Sequence, residues 1–155
     1  MAYPAIGEAA PDFELSTDDG GSVSLADLRG SKVVLYFYPK DDTSGCTTEA
    51  LDFSSRAADF DAARAIVIGV SPDSLVQHGK FRKKHGLTIR LAADPERAAI
   101  EAYGVWQEKS MYGKKYMGVV RSTFLIDAEG RIADAWTKVK VAGHAEAVLA
   151  AVKAL

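Results

Sequence analysis

Short apolar runs separated by turn residues open the chain. Phe13-Glu14-Leu15 and Val23-Ser24-Leu25 alternate apolar and polar positions around Asp18-Asp19-Gly20-Gly21, the pattern of a β-hairpin. Residues 32–38 (KVVLYFY) are apolar on both faces and rich in β-branched and aromatic side chains, which predicts a central strand buried on both sides. Pro39 ends it, because proline has no amide to give to a ladder. The period then changes. Cys46, Ala50, Phe53, Ala57 and Phe60 recur at three- and four-residue spacing, which predicts one helix over 43–64. Residues 65–70 (AIVIGV) read as the next buried strand. Ser71-Pro72-Asp73 turns into a helix that runs to His85, with Gly86 as its C-cap. Asp94-Pro95, an N-cap followed by a first-position proline, predicts a further helix. Near the end, residues 122–127 read as a strand that Ala128-Glu129-Gly130 turns into 131–136. A terminal helix follows with Ala145, Val148, Leu149 and Val152 on one face. This order is that of an α/β fold, a mixed sheet covered by helices on both sides, with an N-terminal hairpin.

Composition adds limits. A chain of 155 residues fits one domain over 1–155, and 48% hydrophobic with 26% charged residues is ordinary for a globular protein. A net charge of −2 lacks the basic footprint of a nucleic-acid protein. The runs 80–85 (KFRKKH) and Lys114-Lys115 fit a solvated helix face and a charged loop. No apolar stretch is long enough for a membrane span. The opening MAYPAIGEAAPDFEL shows no basic start before an apolar run, so no secretory signal is expected. One cysteine excludes an intrachain disulfide, and a free thiol suits a reducing, cytoplasmic compartment.

That cysteine is the chemical question. Cys46 could be core filling, since free cysteine is among the most buried residue types. Its place argues otherwise. A helix that begins near Thr43 puts Cys46 in its first turn, where unpaired amides and the helix dipole favour an anion, and the thiolate is the nucleophilic form. Gly45 leaves room for a small substrate to approach the backbone, and Thr43 and Ser44 also suit N-capping. In open α/β sheets, sites gather beyond the carboxyl ends of strands, and residues 39–45 form such a junction.

Pro39-Lys40-Asp41-Asp42-Thr43-Ser44-Gly45-Cys46 matches the pattern P-x-x-x-T/S-x-x-C and resembles the active-site segment of the peroxiredoxins. With the segments YFYPK, GCTTEA, GVWQEKSMYGKKYMG and RSTFLID in order, the chain is similar to their bacterioferritin comigratory protein, or peroxiredoxin Q, branch from about Ile6 onward. The resemblance implies a thioredoxin-like fold and a thiol peroxidase acting on hydrogen peroxide and organic hydroperoxides, with no cofactor and no metal. It makes Cys46 the peroxidatic cysteine. Thr43 would turn its hydroxyl to the thiolate and the incoming peroxide, and Pro39 would shield the thiolate from water. Arg121 would lie beside the sulfur, where a permanently charged guanidinium stabilises a thiolate and the charge developing on the peroxide.

Many members of this branch carry a second cysteine five residues after the first. Leu51 stands there, roughly 140° around a helix from Cys46. The sulfenic acid left on Cys46 must then be resolved by an outside thiol: thioredoxin, glutaredoxin or glutathione. Without an internal resolver, excess peroxide should drive Cys46 to sulfinic acid more readily. Ser44 replaces the proline usual before the glycine. The subunit is expected to be a monomer or weak homodimer.

Other residues add less. Glu49, one turn after Cys46, reads either as tuning the loop or as exposed helix charge. Tyr36, Phe37, Tyr38 and Trp106 read as core more than as pocket walls. His78, His85 and His144 show no metal-ligand spacing and read as surface or capping residues. A disulfide exchanger would need C-x-x-C, and a cysteine-histidine hydrolase would need an imidazole on the segments around Cys46, where none is expected. A non-catalytic module that binds partners or senses oxidation through Cys46 is the alternative from another class.

Overall fold

A computed structural model describes residues 2–155. The predicted hairpin forms from β1 (Glu14–Thr17) and β2 (Ser22–Ser24), with Leu15 opposite Val23. A short 3-10 turn (Ala26–Leu28) leads to β3 (Lys32–Phe37). Helix α1 (Ser44–Ser55) and the short α2 (Ala57–Ala62) follow, then β4 (Ala65–Ser71) and α3 (Leu75–His85). The rest is β5 (Arg90–Ala93), α4 (Ala98–Ala102), β6 (Trp106–Met111), β7 (Lys114–Val119), β8 (Ser122–Ile126), β9 (Ile132–Thr137) and α5 (His144–Ala154).

Seven strands make one sheet in the order β2-β1-β5-β4-β3-β8-β9. Its centre, β5-β4-β3, is parallel, and β8 runs antiparallel to β3 with Leu35 opposite Phe124. Strand β3 alternates its burial between two layers, as a central strand must. Val33, Leu35 and Phe37 enter a core with Phe13, Ile68, Ile100, Tyr103 and Phe124, on the side of α4. Val34 and Tyr36 enter the other, where Phe53, Phe60, Phe81, Val148 and Val152 come from α1, α2, α3 and α5. Cys46 belongs to this second layer. No helix among the described residues is long and apolar enough to cross a membrane.

Two predicted helices differ. The single helix over 43–64 is broken at Arg56. The carbonyl of Asp52, due to the Arg56 amide in a continuous helix, accepts instead from the Ser55 hydroxyl and the Arg56 guanidinium, each at 3.0 Å. The Arg56 amide steps down to Phe53, a three-residue bond that ends the turn. The helix predicted at Asp94-Pro95 begins later, at Ala98. Asp94 still caps it from outside, its carboxylate accepting from the Ala98 and Ile100 amides at 2.9 Å. Ser74 caps α3 through a full capping box, and Gly86 closes it in the left-handed region at φ 64°.

Candidate active site

Strand β3 ends at Phe37, and residues 38–43 carry the chain to the start of α1, on the side of the sheet where Cys46 packs. Thr43 holds the N-cap position in an extended conformation, and its carbonyl accepts from the Thr47 amide at 2.8 Å. Its side chain does not cap. The hydroxyl donates to the Lys40 carbonyl at 2.8 Å, and no hydrogen bond joins it to Cys46 among the described residues. The amides of the first turn are therefore left without a side-chain acceptor from the cap, facing the region where an anion is favoured.

Cys46 is 1% exposed. Its Sγ lies 3.3 Å from Nη2 of Arg121, the residue just before β8. The other end of the guanidinium, Nη1, donates to Oε1 of Glu49 at 2.6 Å. Cys46 and Glu49 are three residues apart on one face of α1, so a single guanidinium reaches both. Gly45 is what permits the approach. A Cβ there would sit 3.2 Å from Nη2, closer than side chains ordinarily pack. The space beside Gly45, expected for a substrate, is occupied by Arg121. Pro39 is half-buried at the end of β3.

The sequence reading left Glu49 undecided; the structure buries it to 1% exposure. Burial raises its carboxyl to about 7, against the opposing pull of Arg121. The histidine expectation is corrected more strongly. His78 and His144 are both buried, and only His85, half-buried and bonded to the Asp42 carboxylate at 2.8 Å, lies near the surface. His144 opens α5 with its ring edge-on to Phe53 and Trp136 and its Nε2 2.7 Å from the Thr123 hydroxyl. An imidazole thus does lie in the Cys46 layer. It does not serve Cys46 as a base: its Nε2 is engaged by the Thr123 hydroxyl and no hydrogen bond joins it to the sulfur among the described residues, while burial and the nearby Arg121 charge hold it down to about 4. Trp106 packs on the opposite face of the sheet with the Arg97 guanidinium 4.5 Å over its ring, so it does not wall the site.

Residues 6–135 match the AhpC/TSA family. The chain belongs to that family. It is a peroxiredoxin of the Bcp/PrxQ kind, and hence a thiol peroxidase. It is 52% identical over 148 residues to peroxiredoxin Bcp of Bacillus subtilis, covering 96% of this chain and 94% of that one. To peroxiredoxin Bcp of Xanthomonas campestris it is 50% identical over 143 residues, covering 92% and 89%. Among solved structures, peroxiredoxin Q of Xanthomonas campestris superposes with a TM-score of 0.90 at 48% identity, covering 99% and 97%. A mutant of PrxQ from Xylella fastidiosa gives 0.93 at 39% identity, covering 99% and 98%. The thioredoxin-like expectation holds in this peroxiredoxin, down to the N-terminal hairpin.

Proposed function

We propose that Cys46 is the nucleophile of a one-cysteine hydroperoxide reduction. The 3.3 Å contact between Arg121 and the sulfur is the observation that carries this reading. The Cys46 thiolate attacks the terminal peroxide oxygen; an S–O bond forms as the O–O bond breaks. The departing alkoxide or hydroxide takes a proton and leaves as alcohol or water, and Cys46 becomes a sulfenic acid. Arg121 and the first-turn amides stabilise the charge that builds on the oxygens. Thr43, seated on Lys40, presents its hydroxyl oxygen to the peroxide proton, and Pro39 keeps water from the sulfur. Alkyl peroxide reduction is described for the Xanthomonas campestris bacterioferritin comigratory protein, 47% identical to this chain, and alkyl hydroperoxides are the substrate class carried over.

The sequence contains no second cysteine, so the sulfenic acid condenses with an outside thiol, releasing water. A second thiol then displaces Cys46 and leaves with the first as a disulfide. Thioredoxin, glutaredoxin and glutathione are the proposed donors, the cytoplasm the proposed compartment, and a monomer or weak homodimer the proposed state. A sulfur 1% exposed cannot meet a protein thiol in place, so the first turn of α1 must open after oxidation.

Rapid-quench trapping with one equivalent of hydrogen peroxide, with Cys46→Ser as control, tests the reading. The expected result is addition of a single oxygen to Cys46 orders of magnitude faster than to a free thiol. A rate no better than free cysteine would leave a binding or sensing module instead.

A further inference from the structure

Helix α3 turns a fully buried imidazole toward the loop that precedes Cys46. His78 is 0% exposed. Its Nε2 lies 3.0 Å from the Ala92 carbonyl oxygen, and its Nδ1 lies 2.6 Å from Oδ2 of Asp41. A carbonyl only accepts, so Nε2 carries a hydrogen. Two arrangements then remain for the short contact at Nδ1: an imidazolium facing a carboxylate, or a neutral ring facing a protonated Asp41. The surroundings favour the first. Oδ1 of Asp41 also accepts the Tyr38 hydroxyl at 2.5 Å, and an ionised carboxyl receives two short donors better than a neutral acid does. The carboxylate of Asp73 lies close by. It accepts from the Asp41 amide at 2.8 Å and from the Ser71 hydroxyl at 2.6 Å.

The charged or titratable groups facing His78 among the described residues are Asp41 from the loop, Asp73 from the segment before α3, and Tyr38 beyond the end of β3. From β5 it meets only the Ala92 carbonyl. Burial pushes the imidazole down, but the Asp41 hydrogen bond and charge, together with Asp73, outweigh burial and leave it raised. Oxygen and nitrogen atoms of Asp41, Asp73 and His78 lie within 4.8 Å of one another, close enough to share a cation. Hydrogen bonds inside the protein already engage all three side chains, so the cluster is a clamp and not a cation seat.

What the clamp holds is the turn over 40–43. Asp41 follows Lys40, whose carbonyl seats the Thr43 hydroxyl, and precedes Asp42, which is tied to α3 by Lys84 and His85 at 2.8 Å each. Thr43 then starts α1. We infer that His78 is a positioning residue of the peroxidase site: as an imidazolium it fixes Asp41 against α3, and through Asp41 it sets the turn that presents Thr43 and the first turn of α1. This inference rests on the roles proposed above for Cys46 and Thr43.

The test combines ring-nitrogen NMR of reduced, 15N-labelled protein with Cys46 oxidation rates from mildly acidic to mildly alkaline pH. Wild type, Asp41→Asn and His78→Gln are compared, with circular dichroism as the check on folding. Both nitrogens of His78 are expected to be protonated in the wild type at neutral pH. In Asp41→Asn the carboxamide becomes a donor to Nδ1, and the ring becomes the neutral Nε2–H tautomer. Both variants are expected to oxidise Cys46 roughly tenfold more slowly, since small displacements at a reacting centre cost that much. The alkaline fall in rate expected of the wild type, as His78 loses its proton, should be absent from both. A bare Nδ1 in the wild type overturns the inference, even where a variant fails to fold. So do folded variants that oxidise at the wild-type rate across the pH range. A wild type that oxidises no faster than free cysteine sinks the peroxidase reading itself, a failure the ring-proton result identifies separately.

Discussion

Arg121 serves two partners with one side chain, the Glu49 carboxyl and the Cys46 sulfur, and its geometry depends on both. Glu49 tethers one nitrogen so that the other meets the sulfur. Glu49→Ala removes the tether and is expected to slow Cys46 oxidation roughly tenfold, while Glu49→Gln keeps an acceptor for Nη1 and should lose much less. Equal losses in the two, measured by rapid quench, would place the effect on the charge. Gly45→Ala isolates the approach itself. Its new methyl group would press on Nη2 from 3.2 Å, so the oxidation rate should fall several-fold. Thermal stability should hold or rise, because alanine suits a helix better than glycine by about 1 kcal/mol. A rise in melting temperature without a change in rate would show that Arg121 moves aside freely and that the close approach is not what sets the rate. Arg121→Ala has a wider effect. It leaves the Glu49 carboxyl buried without its partner, and a loss of about 1–3 kcal/mol is expected beside the loss of rate.

At the scale of elements, α1 decides how a second cysteine could work. Leu51 is 40% exposed and lies around the helix from the buried Cys46. Leu51→Cys is expected to form an intrachain disulfide after peroxide treatment only with loss of helix, seen as a mass change together with reduced far-UV ellipticity. A disulfide with the helix signal intact would contradict this. The same helix shows what the sequence could and could not reveal. Its apolar spacing marked Cys46, Ala50, Phe53 and Phe60 correctly, since burial on one face leaves that trace. The break at Arg56 left none, because it depends on which donors take the Asp52 carbonyl. The ribbon β6-β7 was invisible as strands, its residues being mostly exposed and polar, and β5 is too short to show a period. The contact between Cys46 and Arg121 was legible through the motif and the ordered segments, whereas the Thr43 hydroxyl, expected to face the sulfur, turns to Lys40. Glu49, His78 and His144 were not legible, because a buried polar side chain is justified only by partners distant in sequence. For Glu49 that partner lies 72 residues away.

Across the molecule, two buried groups near Arg121 titrate in opposite senses. Glu49 is raised from 4.5 to about 7 by burial, and His144 is lowered from 6.5 to about 4 by burial and by Arg121. Between pH 4.5 and 6.5 the folded chain keeps a proton on Glu49 that the unfolded chain has lost. Over the same range it lacks one on His144 that the unfolded chain holds. Linkage makes the Glu49 contribution fall and the His144 contribution rise with pH, so the two nearly cancel. Glu49→Gln should unmask a rise in stability across this window and His144→Asn a fall, each at most about 3 kcal/mol, read from urea midpoints. Parallel curves for both variants would show that neither group titrates as described.

The separation of 75 positions between Cys46 and Arg121 also bears on how the chain is made. Strands β3 and β8 are neighbours in the finished sheet but far apart along the chain, and synthesis proceeds from the N-terminus. Until β8 joins β3, no guanidinium reaches the sulfur, and α1 has only part of its platform. A nascent or truncated chain therefore carries an ordinary cysteine. On the role proposed for Arg121, sensitivity to peroxide is expected only with the last third of the protein, so that a thiol with no internal partner to rescue it would stay unreactive while it is most exposed.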